Sequence, residues 1–196
     1  MIVRRFALVM TVCAGLEASG RVVCGRRAMM GGVFCASLAT CANAASRFVA
    51  SDGSFEFDYD EGFVESSKPV KTHVEEVLVK QGKRQVGVVV DRVKINSLED
   101  FGSPNFVGEK VVGSERNRDG VTEATFIGAD KEIKNGTTYY VLEYTNASTR
   151  GDNHFLSKVA IKDGRLYILT AQARIDDYDA AKPSLYKALD SFRIIT

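Results

Sequence analysis

The sequence predicts an α+β fold: a central antiparallel β-sheet flanked by helices, an α/β/α sandwich. Three observations predict it. Asn135-Gly136 and Asp163-Gly164 each separate two alternating segments, and type I′ hairpin turns need φ > 0 at both central residues, which these types accept. Gly102-Ser103-Pro104 supplies a stop, an N-cap and a first helical residue in succession. Leu185, Ala188, Leu189 and Phe192 recur at i, i+3, i+4 and i+7, the apolar stripe of a closing helix.

In chain order, Phe55, Phe57 and Tyr59 alternate with polar residues in FEFDYDEGF, a short strand that Gly62 breaks. His73–Val93 reads as two strands around a turn at Gln81–Lys83. Val77 and Val79 alternate in the first, whereas the unbroken VGVVV of the second implies burial on both faces. In NSLEDFGSPNFVGEK (Asn96–Lys110), Ser97 and Asp100 predict a capping box around a short first helical turn that Gly102 ends. A second helix should run from about Pro104 to Glu115, with Phe106, Val107, Val111 and the stem of Lys110 on one side. Two helices would then meet at a fixed corner. A meander of four strands follows: GVTEATFIGADKEI, TTYYVLEYTNAS, FLSKVAIK and RLYILTAQAR. Along the second of these, Tyr140, Leu142 and Tyr144 share one face, and Tyr139, Val141 and Glu143 the other. The closing helix is expected over about Pro183–Phe192.

The 196 residues carry a net charge of +1, unevenly spread. Residues 1–44 hold five arginines, no lysine, one acid (Glu17) and all four cysteines, the composition of a targeting leader. Arg26-Arg27, a short apolar run and the small-x-small site Ala42-Asn43-Ala44 follow in the order of a twin-arginine export signal with cleavage after Ala44. The run is too short and too rich in Ala, Gly and Ser for a spanning anchor. An Arg-bearing, nearly acid-free segment precedes it, with its own apolar run from Phe6 to Ala14. Two targeting steps in series imply an organelle with an inner compartment, and the thylakoid lumen of a plastid fits. Residues 45–196 then form one domain of 21 basic and 24 acidic side chains, net −3, without cysteine. That balance argues against nucleic-acid binding. It leaves no disulfide, thiol nucleophile or Cys-ligated zinc in the domain.

No G-x-S-x-G, P-loop, G-x-G-x-x-G, H-E-x-x-H or EF-hand loop occurs. The histidines are His73 and His154. Asp176, Asp177 and Asp179 have the oxygen chemistry of a hard-cation site. An acidic N-cap and first turn of the closing helix explains them more simply. His154, beside Asp152 and Asn153, is a candidate metal ligand; a local hydrogen bond at a strand start is the alternative. Asn135-Gly136-Thr137 and Asn146-Ala147-Ser148 match the N-glycosylation pattern, which a lumenal protein would not use.

INSLEDFGSPNFVGEKVV, TTYYVLEY, NHFLSKVAIKDGRLYILTAQA and the final SFRI, in this order across Phe55–Ile194, resemble the PsbP domain. The resemblance implies a non-enzymatic thylakoid-lumen protein, peripheral to the membrane, working on the oxygen-evolving side of photosystem II as an accessory or extrinsic protein. Its partners would be lumenal subunits of photosystem II. It would need no cofactor of its own but could influence calcium and chloride retention there. The alternative within the family is an assembly or scaffold factor for another thylakoid complex, photosystem I or a dehydrogenase-like complex. A small-ligand- or metal-binding lumenal protein is a third reading. Several residues depart from the family pattern. The type member's extended N-terminal segment has no counterpart between Ala44 and Phe55, and Phe63 and Tyr178 stand where the family carries Trp. His154 matches a histidine for which metal binding is described in the type member. The acidic partner's position holds Ile175, with Asp176 next to it.

Overall fold

The structure, a computed structural model, describes residues 45–66 and 73–195. The predicted leader, with Arg26, Arg27, Ala42 and Ala44, lies outside them. Along the described chain, β1 (Ala45–Val49), β2 (Phe55–Asp60), β3 (Val64–Glu65), β4 (Glu75–Gln81) and β5 (Arg84–Arg92) precede helix α1 (Pro104–Arg116). Then come β6 (Val121–Lys134), β7 (Thr137–Ser148), β8 (Asn153–Lys162) and β9 (Arg165–Arg174). A 3₁₀ turn (Ile175–Asp177), helix α2 (Tyr178–Ser191) and β10 (Arg193–Ile194) complete the order.

Both expected hairpin turns form: Asn135 and Gly136 have φ of 51° and 74°, Asp163 and Gly164 of 51° and 68°. The resulting meander extends to a seven-stranded sheet of order β3-β4-β5-β9-β8-β7-β6, antiparallel throughout. Its middle is buried on both sides, as the unbroken run at residues 86–90 requires. One face packs Tyr140, Leu142, Tyr144, Phe155 and Ile168 against Val107, Val111 and Val112 of α1. The other packs Tyr139, Leu156, Tyr167 and Leu169 against Leu185, Ala188 and Leu189 of α2. The two-sided reading of β7 is therefore correct, and helices flank the sheet as expected.

Four expectations need correction. First, Ser97–Phe101 forms a turn, not a helix. Ser97 Oγ accepts from the Asp100 N–H at 3.1 Å, and the Leu98 carbonyl takes the N–H groups of Phe101 and Gly102. Propagation stops there because Ser103, preceding a proline, sits at ψ 160°. Second, Phe106 and Lys110 lie outside the buried stripe of α1, which is Val107, Gly108, Val111, Val112 and Glu115. Phe106 turns back over Gly102, where φ is 148° and a Cβ would sit 2.6 Å from the ring, and it meets Phe101 edge-on at 6.1 Å. Third, α2 begins at Tyr178, with Pro183 inside it. Burial of Tyr178 and Ala181 against the sheet outweighs the hydrogen bond that Pro183 cannot make. Fourth, a second sheet of order β1-β2-β10 covers the α2 face, with Phe55 and Phe57 in that core.

The corner itself is as expected. Ser103 caps α1, its Oγ accepting from the Phe106 N–H at 3.3 Å, and Pro104 takes the first helical position. The Tyr140 hydroxyl donates to the Gly102 carbonyl at 2.9 Å and ties the corner to the sheet.

Candidate functional site

His154 stands second in β8, opposite Thr145 of β7. Glu143 lies two residues before Thr145 in β7, so it is a diagonal neighbour on the same face. Tyr178, the first residue of α2, closes over both. The His154 and Tyr178 rings stack at 3.5 Å with 6° between planes. Glu143 Oε1 lies 2.7 Å from His154 Nε2 and accepts from the Tyr178 hydroxyl at 3.0 Å. With Nε2 protonated, one carboxylate oxygen accepts from both rings. Burial, then the Glu143 carboxylate, pushes the Tyr178 phenol well above its ordinary range. Lys182 Nζ sits 5.9 Å from the Tyr178 centroid and 5.7 Å from that of Tyr186.

This cluster offers two metal donors, His154 and Glu143. Position 175 presents an exposed isoleucine in place of the acid. Among the described residues no group of three or more His, Cys, Asp or Glu side chains is disposed to hold a metal ion. A cation at His154 would have to displace the Glu143 hydrogen bond and find its remaining ligands elsewhere. The acidic run divides as follows. Asp177 pairs with Arg84 through contacts of 2.6 and 2.8 Å and makes no side-chain cap bond. Asp176 lies in the 3₁₀ turn and Asp179 in the first turn of α2.

His73 is on the opposite face. Its Nδ1 lies 3.0 Å from Asp91 Oδ2, and Asp91 pairs in register with Leu166 of the α1-side core. The structure does not bring the two histidines together. Asn146 of the second glycosylation tripeptide is buried, donating to Glu115 Oε1 at 2.7 Å, whereas Asn135 is exposed in its turn. Phe63 and Tyr178, the aromatic residues at the family's Trp positions, are both buried in the α2-side core. Sequence reasoning missed the meeting of Glu143 with His154 and Tyr178. The usable signal was the face assignment of β7, but the β7–β8 register and the early start of α2 were also needed.

The architecture defines a class: a broad antiparallel sheet with one helix on each face and a small sheet over one of them. The chain belongs to the PsbP family, whose model matches residues 43–194. It is 35% identical over 89 residues to a chloroplastic PsbP domain-containing protein 2 of Arabidopsis thaliana, a match covering 45% of this chain and 38% of that relative. It is 28% identical over 160 residues to CyanoP of Thermosynechococcus vestitus, covering 75% of this chain and 84% of the relative. The solution structure of CyanoP from Synechocystis sp. PCC 6803 superposes with a TM-score of 0.66 at 18% identity, covering 85% of this chain and 99% of that one. That likeness establishes the shared fold. Among the described residues no helix is long and apolar enough to cross a membrane.

Proposed function

We propose that the protein is a non-catalytic accessory or extrinsic protein of photosystem II, peripheral on the lumenal face of the thylakoid membrane, that supports the oxygen-evolving side. The observation that carries this reading is the family match across residues 43–194. Arabidopsis relatives named chloroplastic support a plastid location. The order Arg26-Arg27, apolar run, Ala42-Asn43-Ala44 supports the lumen. Any effect on calcium or chloride would act through retention at the photosystem's own sites, not through a metal set of this chain. The test is to solubilise thylakoids and ask which complex the protein accompanies on a native gel. Co-migration with photosystem II, and release by salt without detergent from membranes turned inside out so that the lumenal face is exposed, is the expected result. Co-migration with photosystem I or a dehydrogenase-like complex would replace this reading with an assembly or scaffold role there. The relatives' names favour keeping that second reading, since PsbP domain-containing protein and PsbP-like protein name a domain and not a complex. Titration with zinc tests His154 as a metal ligand: equal affinity of wild type and His154→Ala removes His154 from consideration.

A further inference from the structure

Near the start of β4, two buried polar atoms have no hydrogen-bond partner among the described residues: His73 Nε2 and Glu76 Oε2. The His73 side chain is 2% exposed, and that of Asp91, 3.0 Å from its Nδ1, is 15% exposed. Glu76 feels the charges of both, His73 from the segment ahead of β4 and Asp91 from β5. One imidazole and two carboxylates thus share a largely buried site at the margin of the large sheet. An unpaired polar atom costs free energy in such a place, and an unpaired charge costs more. With Nδ1–H donating to Asp91, Nε2 is a bare acceptor, and Glu76 supplies another. Neither can bond the other until a proton is added.

The site lies where the sheet is held on one side only. β3 reaches Lys80 and Val79 but not the first residues of β4, which pair with β5 alone. Just ahead of the strand, the Val74 N–H donates to the Val90 carbonyl at 3.0 Å. Glu75 Oε1 accepts from the Ser51 N–H at 3.0 Å and from its hydroxyl at 3.2 Å, which fastens the β1–β2 turn of the small sheet to the large one. Asp52 gives the same turn a second hold, on Arg165 at 2.7 Å. Hydrogen bonding to Ser54, then to Arg165, keeps the Asp52 carboxyl at about 2, so this second hold does not change near neutral pH.

We propose that His73, Glu76 and Asp91 form a proton-operated clasp, which holds the start of β4 and the β1–β2 turn while it carries an extra proton and loosens them when that proton leaves. A proton taken from solvent by Nε2 gives the buried ring a second donor, and the bare Glu76 oxygen is the acceptor for it. The imidazolium then bridges both carboxylates and offsets one of their charges. Imidazole is the side chain whose ordinary titration falls between about pH 5 and 8. Burial pushes the Glu76 carboxyl above its ordinary range; His73 opposes the push and Asp91 adds to it. A folded-state value above the unfolded one makes the contribution complete in acid and lost as pH rises through the raised value. The proton-bound form is therefore the tight one. The clasp requires no partner, so it stands or falls apart from the accessory reading.

Amide hydrogen exchange of the full chain at pH 5 and pH 8, read by NMR and corrected for the intrinsic rate, tests it. Protection of the Val74 and Ser51 amides should fall at least about threefold at the higher pH, while the amides of β8 and β9 keep theirs. Glu76→Gln has no charge to bury and should keep the acid level of protection at pH 8. His73→Gln lacks the bridging imidazolium and should show at pH 5 the looser state that wild type shows at pH 8. The two variants are expected to move in opposite directions, so general destabilisation cannot mimic both. Equal protection of the wild type at the two pH values overturns the proposal. So does a Glu76→Gln chain that loosens as the wild type does, or a His73→Gln chain that stays tight in acid. A loss spread evenly through β8 and β9 is global destabilisation and refutes a local clasp.

Discussion

Glu115→Ala should be among the most damaging single changes in this fold. The Glu115 side chain is 2% exposed where α1 meets β7. Its Oε1 accepts from Asn146 Nδ2 at 2.7 Å, and its two oxygens lie 2.7 and 2.9 Å from Arg118 Nη1. Truncation leaves a buried amide and a mostly buried guanidinium without their acceptor. An orphaned amide costs about 1–3 kcal/mol, and breaking a buried ion pair by removing one partner costs about 3–5 kcal/mol in all. In a domain of this size each kcal/mol lowers the melting temperature by about 2–4 °C, so the expected fall is roughly 6–20 °C. Calorimetry at neutral pH measures it. A double-mutant cycle with Arg118→Ala isolates the pair, with an expected coupling of at least about 1 kcal/mol. A fall smaller than about 3 °C would mean that the carboxylate reaches solvent, and the account of the α1–β7 junction would be wrong.

Two further predictions probe the packing and the His154 cluster. Gly108→Ala places a Cβ against the far edge of the half-buried Phe126 ring, so the ring must swing aside or α1 must move off β6, at a cost of up to about 1–3 kcal/mol; Phe126→Leu in the same chain should restore part of it, and no restoration would sink the steric account. Tyr178→Phe removes the hydroxyl bond to Glu143 and should cost about 1 kcal/mol at neutral pH. The folded phenol titrates above its ordinary 10.0, so its contribution is complete below pH 10 and is lost as pH rises through the raised value. The phenylalanine variant should therefore show a flatter loss of stability above pH 10 in alkaline denaturation; a curve parallel to wild type would refute the assignment.

What could be read in the sequence was what short-range stereochemistry decides. Asn135-Gly136, Asp163-Gly164 and Ser103-Pro104 act within four residues, so they placed the meander and the start of α1 correctly. Strand pairs of two residues have no periodicity to read: β3 and β10 exist because β4 and β2 offer edges to them. Pro183 looked like a helix start because the local rule puts proline in the first turn. The start at Tyr178 depends on a sheet that comes together over long sequence distances. Phe106 was assigned to the core by spacing alone, and its return over Gly102 is a property of the corner. The His154 cluster was half legible. His154 stood out, and Glu143 was placed on the correct face. Their meeting depends on the β7–β8 register, which the Thr149–Asp152 loop gives no turn signature to predict.

The sheet's construction also restricts how a partner can be met. Both of its faces are occupied by packing, one by α1 and the other by α2 and the small sheet. One edge, β3, is two residues long. The other, β6, is fourteen residues long, but it carries register shifts at Val121/Glu123 and Phe126/Gly128 and the charges Glu123, Asp130, Lys131, Glu132 and Lys134. Bulges and charge on an edge oppose strand addition. A partner that adds to neither edge has the outer sides of the helices and the small sheet to meet, and the strand ends with the loops that join them, the Asn96–Glu99 turn among these. Within that turn Leu98 enters the α1-side core whereas Asn96 and Glu99 are exposed, so the charge of the turn can change at those two positions without disturbing either core.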